Sequence, residues 1–133
     1  MIVSLGEALI DLIHSPEERA PRALVGGSPY NVAIALARLG RDTGFVCPIS
    51  TDAHGDLLAS GLQQAQVHQC VASRVRAPTA VAEVFTDTAG HPSYTFHRTA
   101  TADRALDERP PLKSLPSRIG ALHFGSLTLA QGG

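Results

Sequence analysis

The stretch VGGSPYNVAIALARLG, residues 25–40, sets the reading of this chain, because two adjacent glycines and a Ser-Pro pair stand directly before a helical apolar pattern. Ser28 suits a helix N-cap and Pro29 the first helical position, where a missing N–H costs nothing and the fixed φ is already helical. Val32, Ala35, Leu36 and Leu39 follow the i, i+3, i+4, i+7 spacing of an inward face, and Gly40 supplies the stop. Gly26 and Gly27 fit a tight strand-to-helix turn. They fit equally a place where a ligand meets bare backbone, since N–H groups at a helix start carry partial positive charge. Asn31, one turn in, is either a polar residue on a solvated face or a donor and acceptor suited to a polyhydroxyl ligand.

Upstream, MIVSLGEALIDLI is rich in β-branched and aliphatic residues. Ile2–Leu5 reads as a buried strand ended by Gly6, and the continuation EALIDLI is apolar on both faces except at Asp11. A carboxylate in such a strand must find partners or neutralise, because an isolated buried charge is strongly disfavoured. A neighbouring turn or a bound polyol could supply them. The polar excursion SPEERAPRALVGG returns through Ala23 to Val25 as a second short strand.

Downstream, TGFVCPIS predicts a buried strand, and DAHGDLLASGLQQAQV a second helix with Leu57, Leu58, Leu62 and Ala65 inward. Strand, helix, strand, helix at this spacing is the pattern of right-handed parallel crossover units. Thr79 to Thr86 and Ser93 to His97 are β-rich runs around the turn chemistry DTAGHP, predicting a hairpin or an adjacent strand pair. The Pro-interrupted TADRALDERPPLKSLPSRIG suggests short helical turns. ALHFGSLTL then predicts a strand, Ala121 to Phe124, entering a Gly125-Ser126 loop.

Composition narrows the function classes. The 133 residues are 44% hydrophobic and 17% charged, which argues for one globular core over disorder. Eleven Lys and Arg against 12 Asp and Glu give a net charge of -1, with no basic stripe of the kind nucleic acid requires. No run approaches the ~20 apolar residues of a membrane span. The N-terminus lacks the basic leader of a signal peptide, and Glu7 and Asp11 interrupt its apolar run. Cys47 and Cys70 stand outside any CxxC pattern and read as buried thiols, so a cytoplasmic protein is expected. His14, His54, His68, His91, His97 and His123 show no HxxH or HExxH spacing, and no GxSxG elbow is present. The glycine segment has neither the GK[ST] ending of a phosphate loop nor the GxGxxG spacing of a dinucleotide site.

GGSPYNVAIALARLG resembles the N-terminal signature of the PfkB carbohydrate kinases, the ribokinase-like family that includes fructokinases: paired Gly, Asn four positions on, Ala two later, then Leu-Gly. VSLGEALIDLI resembles that family's first strand with its substrate aspartate, and ISTDAHGDLLASGLQQAQV its D.G..l...l...gV segment. FHRTATADRAL and LHFGSLTLA are similar to segments of fructokinase-type members, so the resemblance covers essentially the whole chain.

The resemblance implies a ribokinase-like three-layer α/β/α domain, with a mainly parallel sheet and a small β-sheet lid built from segments near 8–25 and 79–98. It implies transfer of the ATP γ-phosphoryl group to a sugar hydroxyl, with ATP and Mg serving the complete enzyme. By position, Asp11 would bind sugar hydroxyls, Gly26 and Gly27 would let the sugar sit against backbone, and Asn31 would hydrogen-bond it. Phe96 and Arg98 are candidate lid contacts, with a surface ion pair, or no pair at all, as the plainer account of Arg98. Lids of this family often pair between subunits, so a homodimer is a further expectation.

Phosphoryl transfer also needs a base at the acceptor hydroxyl and donors around the transferring group. In the family these reside in a C-terminal GAGD motif, which this sequence lacks, and none of Asp52, Asp56, Asp87 or Asp103 matches a catalytic position. The expectation is the N-terminal part of a sugar kinase, residues 1–133, incomplete on the C-terminal side of its sheet and inactive alone. A non-catalytic sugar-binding or regulatory module, and a structural or interaction protein, are the alternatives.

Overall fold

Alternation along Ile2–Leu5 (β1) sends Val3 and Leu5 into one apolar cluster and turns Ser4 the other way, onto the Pro29 carbonyl, and this strand organises the molecule. The computed structural model describes residues 1–15, 17–71, 73–87, 91–105 and 115–131. In it β1 lies between Thr43–Val46 (β4) and Ala121–Phe124 (β8), with His68–Gln69 (β5) beyond β4, all parallel. Phe45, in register with Ser4, faces the helices Ser28–Arg38 (α1) and Ala53–Gln64 (α2) and packs with Tyr30, Ala33, Leu58 and Leu62. Val3 and Val46 point the other way and bury Cys70, flanked by Met1, Leu5 and Leu115. Burial on both faces explains why β1 and β4 read as continuous apolar runs. Cys47 and Cys70 are buried free thiols, as expected.

The helices form where predicted, with their phases shifted. Gly27, not Ser28, is the N-cap of α1, so Ser28 opens the helix and Pro29 follows within its first turn. The buried face is Pro29, Tyr30 and Ala33, with Ile34 and Ala37 packed alongside, whereas Ala35 is exposed and Leu39 is 75% exposed. Tyr30 sets this phase. Its ring meets Phe45 edge to face, with centroids 5.7 Å apart, while its hydroxyl donates to the Leu58 carbonyl at 3.0 Å. A hydropathy pattern discounts tyrosine for the hydroxyl that this contact satisfies. Gly40 ends the helix with positive φ, its N–H and that of Arg41 closing on Ala37 and Leu36.

In α2, Leu58 and Leu62 face inward as expected, with Ala65 packed against the same core, whereas Leu57 is 47% exposed and Gly55 is buried in its place. Gly55 lies so close to the Ser50 carbonyl that a Cβ would collide with it, and this contact turns Leu57 outward. Asp52 caps α2 through Gly55 N–H at 2.7 Å and also accepts from Thr79 N–H and Oγ1, at 2.8 and 2.6 Å.

A second sheet is assembled from two excursions. Between β1 and α1 the chain makes the hairpin Leu9–His14 (β2) and Arg22–Gly26 (β3). Later it makes Ala80–Thr86 (β6) and Pro92–His97 (β7), the predicted antiparallel pair. The two join through parallel pairing of β2 with β6, in the order β3-β2-β6-β7. A 3-10 turn, Ala102–Arg104, and a helix, Leu127–Gln131 (α3), complete the described elements. Much of the expected helical-turn segment (106–114) and part of the DTAGHP turn (88–90) lie outside the described residues. No described helix is long and apolar enough to cross a membrane.

Candidate functional site

Asp11 sits in β2, in register with Leu24 on one side and Ala82 on the other, and Ala82 pairs in turn with Phe96. Residues paired directly across strands project to one face, so these four form a row with a single carboxylate. Phe96 stands two strand spacings, about 10 Å, from Asp11. It is 44% exposed and stacks on Tyr94 with centroids 6.2 Å apart. Among the described residues Asp11 has no hydrogen-bond or ion-pair partner, so no turn satisfies it. Burial pushes its carboxyl above the ordinary range.

The paired glycines make this arrangement possible. A Cβ on Gly26 would collide with Asp11 Oδ2 and stand 3.1 Å from Leu9 Cδ1. Gly27 has φ +104°, and a Cβ there would lie 2.5 Å from the Glu7 carbonyl oxygen. Bare backbone is therefore needed for the chain to approach itself, with Asp11 and Gly26 brought together and Gly27 capping α1 beside them. Asn31 joins through its N–H, 2.9 Å from the Gly27 carbonyl, and its side chain is exposed. It lines a groove of about 450 Å³ between α1 and α2 with Val25, Ile34 and Arg38. Val25 pairs with Ile10 and so lies on the face of the sheet opposite Asp11.

Arg98 forms a buried ion pair and not the surface one that was the plainer expectation. It is 4% exposed, its Nη2 and Nε donating to Asp103 Oδ2 at 2.6 and 3.0 Å, while Thr101 Oγ1 donates to Asp103 Oδ1 at 2.6 Å. Arg98 is the first residue beyond β7, where the chain turns back into the body, and a guanidinium buried there requires a carboxylate.

Two contacts escaped the sequence reading. Glu7, 1% exposed, accepts from Ser126 N–H and Oγ at 3.0 and 2.8 Å and from Thr128 N–H and Oγ1 at 3.2 and 3.1 Å. Burial raises its pKa, but the backbone and hydroxyl donors outweigh burial and hold it at about 2. The clamped turn seats Leu127 against Leu9, Ala80 and Ala82, on the same face as Asp11. The available signal was an acidic residue just past the C-terminal end of a parallel strand, where α/β sheets place functional groups. The second contact joins Ser4 of β1, His123 of β8 and the Pro29 carbonyl. Among the described residues no group of three or more His, Cys, Asp or Glu side chains is placed to hold a metal ion.

Comparison with known proteins gives this geometry its context. The pfkB family carbohydrate kinase pattern matches residues 1–131. The chain is 35% identical over 136 residues to fructokinase-1 of Oryza sativa subsp. japonica, covering 97% of this chain and 42% of that protein. It spans less than half the length of the curated relatives it matches. Its fold is similar to the apo fructokinase of Vibrio cholerae O395 with TM-score 0.78 and 30% identity, over 97% of this chain and 44% of that one. The ATP-bound fructokinase of Xylella fastidiosa matches with TM-score 0.69 and 36% identity, over 78% of this chain and 34% of that one. Its α/β core, with a parallel sheet flanked by helices, is thus shared with carbohydrate kinases that use ATP, and the chain belongs to the pfkB family of carbohydrate kinases.

Proposed function

We propose that this chain is the sugar-binding part of an ATP-dependent sugar kinase of fructokinase type. The observation that carries the reading is the Asp11 carboxylate, without a partner among the described residues, leaning over bare Gly26 beside the start of α1. An ionised carboxylate only accepts hydrogen bonds, and a sugar is a compact array of O–H donors. Asp11 binds those hydroxyls, Gly26 and Gly27 let the ring approach backbone, and Asn31, placed by its motif position, adds an amide contact. The sheet β3-β2-β6-β7 acts as a lid, Phe96 giving it an apolar wall. Arg98 anchors the lid's last strand through Asp103 and does not itself touch sugar.

The transferring phosphoryl group, Mg and the general base are assigned to residues outside this chain. The lack of a GAGD motif and the share of the relatives' length that is covered support this. The chain alone is expected to be inactive as a kinase. Exposed Leu24, Tyr94 and Phe96 on the outer strands of the lid suit pairing of two lids in a homodimer. Free buried thiols suit a cytoplasmic setting.

The test is an NMR titration of the chain with fructose, ribose and nucleosides. Saturable shifts at the Gly27 and Asn31 amides, lost in Asp11→Asn, are expected for at least one ligand, and their absence for every ligand refutes the cradle. Sugar-dependent ATP turnover by the purified chain refutes the assignment of catalysis elsewhere.

A further inference from the structure

Ser4 and His123 meet in register on the adjacent parallel strands β1 and β8, although 119 positions separate them in sequence. Ser4 is fully buried, and its one hydroxyl proton goes to the Pro29 carbonyl at 2.8 Å, a group that can only accept. Toward His123 Nδ1, 3.0 Å away, Ser4 Oγ is therefore left as an acceptor, so Nδ1 carries the proton. In a neutral imidazole Nε2 is then a bare lone pair.

That nitrogen is available. His123 Nε2 has no partner among the described residues, and it is not sealed from solvent; the one buried side-chain nitrogen left unsatisfied among them belongs to His14. The Cε1 edge of the ring borders Gly125, 3.4 Å from where a Cβ would stand, and Pro29 Cγ lies 3.2 Å from the same point. The ring edge thus lies beside Gly125 and Pro29 at the C-terminal end of β8. Beyond the C-terminal ends of neighbouring parallel strands is where open α/β sheets hold ligands. Pro29, which orients the pair through Ser4, follows Gly27 by two residues, and Gly125 precedes Ser126, which Glu7 clamps.

We propose that His123 is a ligand-binding residue, locked by Ser4 as the Nδ1–H tautomer so that Nε2 accepts a hydrogen bond from a hydroxyl of the bound ligand. The inference rests on the sugar reading above and deepens it. An Nε2 acceptor favours a ligand that presents an O–H donor to it over the deoxy analogue that lacks it.

Long-range proton–nitrogen correlation spectra of the wild-type chain test this without a variant. His123 is expected as the Nδ1–H form at neutral pH, with its Nε2 signal moving on fructose addition. Ser4→Ala should release the tautomer and weaken fructose binding about three- to ten-fold, the worth of one hydrogen bond. His123→Gln, which keeps an acceptor, should bind more tightly than His123→Leu. A wild-type Nε2–H tautomer overturns the proposal. So does fructose that shifts Gly27 and Asn31 but leaves Nε2 still, an outcome that spares the sugar reading. If no sugar moves any of these signals, both readings fall.

Discussion

Replacing Glu7 with Gln isolates the clamp between the end of β1 and the start of α3. Both carboxylate oxygens accept, one from Ser126 and the other from Ser126 and Thr128, so either orientation of a Gln amide sets an N–H2 group against a donor. In the native chain the carboxyl titrates at about 2 instead of 4.5. At ~1.4 kcal/mol per pH unit, that difference is about 3 kcal/mol of stability at neutral pH. The folded-state value is the lower one, so this stability is complete above pH 4.5 and is lost as pH falls toward 2. Glu7→Gln should lower the melting temperature at pH 7 by on the order of 10 °C. The gap from wild type should shrink to under about 1 kcal/mol near pH 2. Asp52, also held at about 2, is present in both proteins and cancels. Urea titrations at a series of pH values are the assay. A gap between wild type and variant that stays constant across the acid range refutes the view that an ionised Glu7 holds this turn.

Asp103→Ala should cost about 3–5 kcal/mol in chemical denaturation, because it removes the buried carboxylate that accepts from Arg98 Nε and Nη2 and from Thr101 Oγ1; a loss below about 1 kcal/mol would mean that the Arg98–Asp103 pair contributes little. Gly27→Ala should be severely destabilising through its positive φ and the Glu7 carbonyl, whereas Gly26→Ala should chiefly displace the Asp11 carboxylate. Gly26→Ala is therefore expected to lose the fructose-induced shifts with the smaller drop in melting temperature, and the reverse ranking would contradict the geometry. Ile119, Leu122, Phe124 and Leu129 are 36%, 53%, 50% and 67% exposed around β8 and α3, so the chain should self-associate in sedimentation experiments. A clean monomer with a cooperative melt would count against that.

Much of this protein was legible in its residue order. The β1 strand, both long helices, the β6–β7 pair and the glycine stop at Gly40 rest on local period and turn chemistry, which act within a few residues. The family signature, which lies along the α1 segment, was legible for the same reason. Helix phase was not, because Tyr30 takes its orientation from Phe45 on a neighbouring strand and Leu58 on the other helix, and Gly55 from a close approach to the Ser50 carbonyl that a hydropathy pattern does not register. The candidate site divides in the same way. Asp11 and the glycine pair announced themselves as a charge in an apolar strand and as bare backbone before a helix. Burial of Arg98 against Asp103, the grip of Glu7 on a turn 119 residues away and the pairing of Ser4 with His123 depend on strand order and register. Hydrogen bonds and ion pairs of that kind are settled when distant segments meet, and only the tertiary structure brings them together.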